Sequence, residues 1–287
     1  MNIARSFAEL RSALEPARSE GRTVGLVPTM GALHDGHLSL VRAARAGADV
    51  VVVSIFVNPR QFGPAEDLAT YPRNEARDLD LLEDERVDVA FLPSSEEMYP
   101  PGSTTSVVVG ELGEIFEGAA RPGHFAGVAT VVTKLFSLVR PDIAWFGQKD
   151  AQQLAVIRRM VTDLSLGVDV RACPTVREEG GLALSSRNVY LDDAERRRGA
   201  SLFAALRAGA HVLESEQNVA AAEKTMRETM AVEGLDVDYA AVVDPDTFKP
   251  FEWESAALLL VAGRAGKTRL IDNLLVLPTP DRGSTEA

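Results

Sequence analysis

Two of the chain's four histidines, His34 and His37, sit in one short run: Pro28, Thr29, Met30, Gly31, Ala32, Leu33, His34, Asp35, Gly36 and His37. Three apart at a helix start, their imidazoles can point the same way as two donors. Gly31 and Gly36 allow close backbone approach, and a helix beginning near Asp35 would offer free N–H groups to a phosphate. By spacing alone the pair could also ligate a metal or do nothing; phosphate is favoured because no cysteine or third histidine stands nearby in sequence. A second cluster, Gly147, Gln148, Lys149 and Asp150, supplies a point charge suited to a polyphosphate and a carboxylate able to cap the following helix. A lysine there could equally be solvated. In a third, Leu184, Ser185, Ser186 and Arg187, two hydroxyls precede a guanidinium fork that can grip phosphate. Its bland alternative is a turn with an N-cap serine.

These runs need a scaffold that brings strand ends and helix starts together. Residues 24–27 read as a buried strand, followed by a helix over 38–46. The β-branched run 50–56 lacks polar alternation and predicts a central strand buried on both faces. A charged helix over 75–85, a strand over 87–92, a helix over 128–139, a strand over 143–146 and a helix over 151–164 continue the alternation. The pattern predicts an α/β, Rossmann-like parallel sheet with helices on both faces. Both the histidine run and the Lys149 run then fall at strand carboxyl ends, where such sheets bind ligands. The glycine- and proline-rich stretch 93–125 reads as an excursion, and loops that long tend to be functional.

Beyond residue 174 the character changes. Amphipathic helices over 194–213 and 219–232 precede strands over 237–243, 256–261 and 269–272, which predicts a smaller α+β domain. The expected division is 1–175 for binding and 176–287 for a carboxyl-terminal lid, with a disordered tail over 278–287. Gly263, Gly266, Lys267 and Thr268 imitate the end of a Walker loop, but Val261 stands where its first glycine is needed. That segment reads as a hairpin turn.

With 30 basic and 42 acidic residues among 287, the formal charge of -12 argues against a nucleic-acid surface. The single cysteine, Cys173, excludes an internal disulfide framework and reads as a small core residue. The longest apolar runs are too short to span a bilayer, and the first residues offer no secretory core. A cytoplasmic setting without membrane or nucleic-acid partners is expected.

Together the motifs resemble the pantothenate synthetase family, of the nucleotidyl-transferring group with a His-x-Gly-His turn. The likeness rests on Pro28 to Gly31, His34 to His37, the run from Val53 to Pro59 with Gln61 and Phe62, Tyr71-Pro72-Arg73, Arg121 to Phe125, Phe146-Gly147 with Lys149-Asp150, Leu182 to Asn188, and Leu270 to Asn273. It spans nearly the whole chain; Arg60 and Ala126 stand at variable-looking places inside motifs. The resemblance implies that ATP contacts Pro28 to His37, Gly147 to Asp150, Val176 and Leu184 to Arg187. It assigns His37 as proton donor, Gln61 and Gln153 to pantoate, and Gln61 also to β-alanine. Asn58, Arg121 and His124 would line or support the same cavity. His34, His37, Lys149, Ser185, Ser186 and Arg187 would serve the chemistry of adenylating pantoate and passing the pantoyl group to β-alanine. Magnesium would be held mainly by ATP phosphates and water, with no direct protein ligand assigned. Closure of the carboxyl-terminal lid would hide the adenylate from water, and the resemblance implies a homodimer. Three other readings compete: a nucleotidyltransferase that keeps the nucleotide on its product, a nucleotide-binding regulator without turnover, and a transfer-RNA synthetase fragment.

Overall fold

The computed structural model describes residues 1–64, 66–253 and 256–277. The tail expected to be disordered, 278–287, lies outside these residues. The chain divides into two compact units, one of Met1–Val176 with Leu184–Arg187 and one of Arg177–Ala183 with the residues from Asn188 onward.

The first unit is built on strands β1 (Asn2–Ala4), β2 (Val24–Thr29), β3 (Val50–Ile55), β4 (Val89–Phe91), β5 (Ile143–Gly147) and β6 (Asp169–Cys173). They form one sheet in the order β1-β4-β3-β2-β5-β6, with every pairing parallel. Its helices are α1 (Phe7–Ser19), α2 (Asp35–Gly47), α3 (Glu75–Asp84), α4 (Ser95–Met98), α5 (Glu117–Ala120), α6 (His124–Val139) and α7 (Ala151–Asp163). The strand β3 is buried on both faces as expected. Its Val50 and Val52 join one apolar core with Leu10, Leu14 and Val132, while Val51 and Val53 join a second with Val41 and Leu82. This alternation is the period-two consequence of an extended backbone.

Successive strands run outward from β2 to β4 on one side, and the chain then returns to place β5 on the other side of β2. Order therefore reverses between β2 and β5, and a crevice opens beyond their carboxyl ends. The histidine run follows β2, and the Lys149 run follows β5.

Several elements differ from the sequence reading. The helix expected over 128–139 begins at His124, after Gly123 at φ +84 turns the chain. Pro122, Gly123 and Gly127 obscure its first turn in the sequence, but packing imposes the helix. The excursion holds the short helices α4 and α5. The short edge strand β1 and largely exposed β6 carry little hydrophobic signal, which is why the pattern missed them. Asp150 occupies the N-cap position of α7 but makes no side-chain capping bond, because a 3₁₀ turn over Gln148–Asp150 leads into the helix. Cys173 is a free, buried thiol.

The second unit packs α8 (Asp193–Glu216) and α9 (Val219–Val232) on an antiparallel sheet of β7 (Asp236–Val243), β8 (Ala257–Ala265) and β9 (Thr268–Val276). Leu202, Leu206, Met226, Met230, Leu259 and Val261 form its core. The false Walker segment is the end of β8 and a two-residue turn, Gly266-Lys267, with Gly266 at φ +60.

Candidate active site

A cavity of about 230 Å³ lies in the first unit, lined by residues from the ends of β2, β3 and β5, from α2 and α6, and by Leu184 to Arg187. Its floor begins with Thr29, whose hydroxyl donates to Ser54 O at 2.8 Å and accepts from the Gly31 amide at 3.2 Å. Gly31 and Ala32 then take left-handed conformations, φ +80 and +49. This turn directs the amides of Ala32 and Leu33 to the two carboxylate oxygens of Asp78, each at 2.8 Å. A Cβ on Gly31 would stand 3.0 Å from Asp78 Oδ2 and from Ile55 Cγ2, so both the left-handed conformation and the tight space favour glycine there. Arg77 donates to Leu33 O at 3.0 Å.

Asp78 is 1% exposed and was absent from the sequence-derived set. Its available signal was position: with Leu82 it lies one helical turn apart on the buried stripe of α3. A carboxylate on an apolar stripe must find donors.

The turn delivers His34 to the N-cap of α2, where its Nδ1 accepts from the Gly36 amide at 3.2 Å and its carbonyl from the His37 amide at 2.8 Å. The helix terminus is therefore partly capped by its own histidine, and offers fewer free amides to an anion than expected. That acceptor role leaves the His34 proton on Nε2. The two imidazole centroids are 4.1 Å apart, so the predicted common orientation is present. Burial lowers His34 to about 4, aided by Lys149, and lowers His37 to about 3, aided by His34. Both rings are neutral near pH 7. His37 Nδ1 is buried without a hydrogen-bond partner among the described residues.

Lys149 and Asp150 line the cavity, with Nζ and Oδ1 3.7 Å apart. Ser186 donates to Ala32 O at 3.2 Å, and Ser185 Oγ accepts the Arg187 amide at 3.3 Å. The Arg187 guanidinium forms a bidentate pair with Asp67 at 2.8 and 2.9 Å, which holds that carboxyl below its usual range.

The same lining also holds side-chain amides and an apolar wall. Asn58 is 1% exposed and Gln61 8%. His124 Nδ1 donates to Gln61 O at 2.8 Å, its Nε2 meets Arg121 Nη1 at 3.1 Å, and Arg121 pairs with Glu66 at 2.7 Å through both Nε and Nη2. Burial, with the nearby Arg121 charge, lowers His124 to about 4. Gly127 lets α6 press on the Asn58 turn: a Cβ there would fall 2.2 Å from Arg60 O. Gln153 lines the cavity beside Val128, Val131, Val132 and Leu135. Its neighbour Gln152 faces the core, donating to Leu112 O and Ile115 O and accepting from the Glu117 amide.

Of the residues named from sequence, Pro28, Thr29, Met30, His34, Gly36, His37, Asn58, Gln61, Arg121, His124, Gly147, Lys149, Asp150, Gln153, Val176 and Leu184 to Arg187 converge on this one cavity. Gly31, Ala32, Leu33, Asp35 and Gln148 lie off its wall. Tyr71, quoted only as part of a motif, lines it, and burial raises its phenol pKa. Asp150 is the acidic residue in the lining. One carboxylate beside hydroxyls fits a magnesium ion carried mostly by phosphate and water, rather than a protein cage.

The family model for pantoate-beta-alanine ligase matches residues 2–275. A pantothenate synthetase from Acidobacterium capsulatum is 53% identical, covering 98% of both chains. One from Roseiflexus sp. is 54% identical over 96% of this chain and 99% of that relative. Among solved structures, pantothenate synthetase from Thermus thermophilus superposes with a TM-score of 0.92 at 51% identity, covering 97% of this chain and all of that one. Pantoate-beta-alanine ligase from Francisella tularensis, complexed with beta-gamma ATP and beta-alanine, gives 0.80 at 35% identity, covering 96% and 97%. Matches of this extent account for the order of the motifs as well as for the sheet that gathers them, and the chain belongs to the pantoate-beta-alanine ligase family.

Proposed function

We propose that this cavity ligates pantoate to β-alanine at the expense of ATP in two steps, with the residues above in stated roles. The observation that carries the assignment is that one cavity gathers cations and hydroxyls (Lys149, Arg187, Ser185, Ser186) together with side-chain amides and an apolar wall. The former suit a polyphosphate, the latter a small branched hydroxy acid.

In the first step a pantoate carboxylate oxygen attacks the α-phosphorus of ATP; the new O–P bond forms as the bond to pyrophosphate breaks. Such transfers depend on positioning and on offsetting charge. Lys149, Arg187, Ser185 and Ser186 meet the phosphates, and Arg187 exchanges Asp67 for them. His34 and His37 are neutral, so they give hydrogen bonds from N–H groups. Proton donation by His37 requires the incoming phosphate charge to raise its pKa from about 3. Gln61 and Gln153 orient pantoate by its oxygens, and the valines of α6 receive its apolar carbon. Magnesium on the ATP phosphates would offset their charge, with Asp150 the lining carboxylate that would help hold it. In the second step the neutral β-alanine amine attacks the acyl carbon, the C–O bond to AMP breaks with its electron pair on the AMP phosphate, and the proton lost by the nitrogen passes to bulk water.

The same reading makes the first unit the ATP- and pantoate-binding part and gives the second the role of a lid, in a cytoplasmic homodimer. Sedimentation tests the dimer. Product analysis tests the reaction: with ATP, magnesium, pantoate and β-alanine, equal amounts of AMP, pyrophosphate and pantothenate are expected. A nucleotide retained on the product would overturn the assignment.

A further inference from the structure

The amide of Gln61 could face the cavity with its oxygen or its nitrogen, and the two present opposite chemistry to a substrate. The choice is made by Asn58. The Arg60 amide, which can only donate, meets Asn58 Oδ1 at 3.2 Å, and Gly127 O, which can only accept, meets Nδ2 at 3.1 Å. These backbone groups fix which end of Asn58 is which. Its Nδ2 then donates to Gln61 Oε1 at 3.0 Å, so Gln61 turns its Nε2 to the side of Met30, another lining residue, where one N–H meets Sδ at 2.9 Å and the second is left for a ligand. A fourth bond completes Asn58: the Tyr99 hydroxyl donates to Oδ1 at 2.9 Å, the shortest of the four.

Tyr99 lies outside the cavity lining, at the end of α4 in the excursion. Its ring packs 6.2 Å from Phe56 and carries the Arg60 guanidinium 4.1 Å above it. Arg60 in turn donates to Ser103 O and Thr105 O at 2.8 and 3.0 Å. The excursion is thereby tied to the turn that bears Gln61. Burial raises the Tyr99 phenol to about 12, so its proton remains in place at ordinary pH and the group stays a donor.

We infer that Tyr99 is a positioning residue for the acid subsite: by donating to Asn58 it holds the Gln61 amide with its N–H₂ toward the substrate, which selects an acid presenting an oxygen acceptor there. This rests on the assignment of Gln61 to pantoate. The hydroxyl removed by Tyr99→Phe lies outside the cavity lining and bonds Asn58, so its effect on the acid subsite would travel through Asn58 and Gln61.

A double-mutant cycle with Tyr99→Phe, Gln61→Ala and the double variant tests it, with KM for pantoate and for ATP measured separately and thermal unfolding recorded for each. Loss of one neutral hydrogen bond in the chain is expected to raise the pantoate KM about fivefold in the wild-type background. The ATP KM should stay within about twofold, and Tyr99→Phe should add less than about twofold once Gln61 is alanine. Equal changes in both KM values, or additive effects in the double variant, would overturn the inference while leaving the Gln61 assignment intact. A Gln61→Ala variant with unchanged pantoate use would overturn both.

Discussion

Asp78 makes a testable demand on the loop that carries the histidines. Its carboxylate is 1% exposed, and each oxygen accepts one amide of the turn at 2.8 Å. Leaving a buried N–H without an acceptor costs about 1–3 kcal/mol, so Asp78→Ala should lose about 2–6 kcal/mol. Asp78→Asn retains one acceptor but sets an amide N–H₂ against the second N–H, and should lose about half as much. Gly31 and Ala32 are in left-handed conformations, so a released turn has little reason to keep its path. Displacing His34 and His37 from it should slow adenylation by about 10² in Asp78→Asn, the scale of losing a preorganised donor. Trp145 is buried in the first unit, whereas Trp253 belongs to the second. Fluorescence in a Trp253→Phe background during urea unfolding therefore reports the first unit's stability, and rapid quench gives the adenylation rate. An unchanged unfolding midpoint with normal adenylation in Asp78→Ala would refute this account of the loop.

Lys149→Ala should slow pyrophosphate formation by about 10² while transfer from preformed pantoyl adenylate falls much less, since pyrophosphate has already left; rapid quench of both half-reactions decides, and equal losses would count against the role. Gln152→Ala should lower the melting temperature by several degrees because three hydrogen bonds to Gln152 are removed, whereas Gln153→Ala should leave melting nearly unchanged and impair pantoate use. Calorimetry with steady-state kinetics separates them, and the reverse pattern would exchange their roles. His34, His37 and His124 have folded pKa values of about 4, 3 and 4, below the ordinary 6.5. The unfolded chain thus takes up protons first as pH falls. The associated stability is complete above pH 6.5 and is lost progressively as pH falls toward 4 and 3. Ring-proton NMR should show these three histidines neutral down to about pH 5; titration of His34 or His37 near 6.5 would contradict the burial argument.

What was legible in the sequence depended on how locally each role is encoded. His34 and His37 share one turn, and Ser185, Ser186 and Arg187 are adjacent, so residue types and spacing suffice to propose a phosphate site. The Val50 to Val53 run names a doubly covered strand because both of its faces are apolar. The excursion's length marked it as functional, but not that Tyr99 within it reaches Asn58. Asp78 reads as one more acid in a charged helix until the fold sets it under the Ala32 and Leu33 amides. Glu66 and Asp67 are likewise unremarked acids whose pairing with Arg121 and Arg187 depends on how the loop lies. Gln152 and Gln153 are the same residue type side by side; the resemblance distinguished them, and the helix face explains the distinction physically.

The order of the two steps is the claim on which the residue roles depend, and a single turnover reads it directly. With enzyme in excess over α-labelled ATP, and pantoate and magnesium present but β-alanine omitted, about one pyrophosphate per ATP should form, with the label retained as pantoyl adenylate. Adding β-alanine should then release labelled AMP and pantothenate without further pyrophosphate. Pyrophosphate that appears only once β-alanine is added would contradict the two-step account.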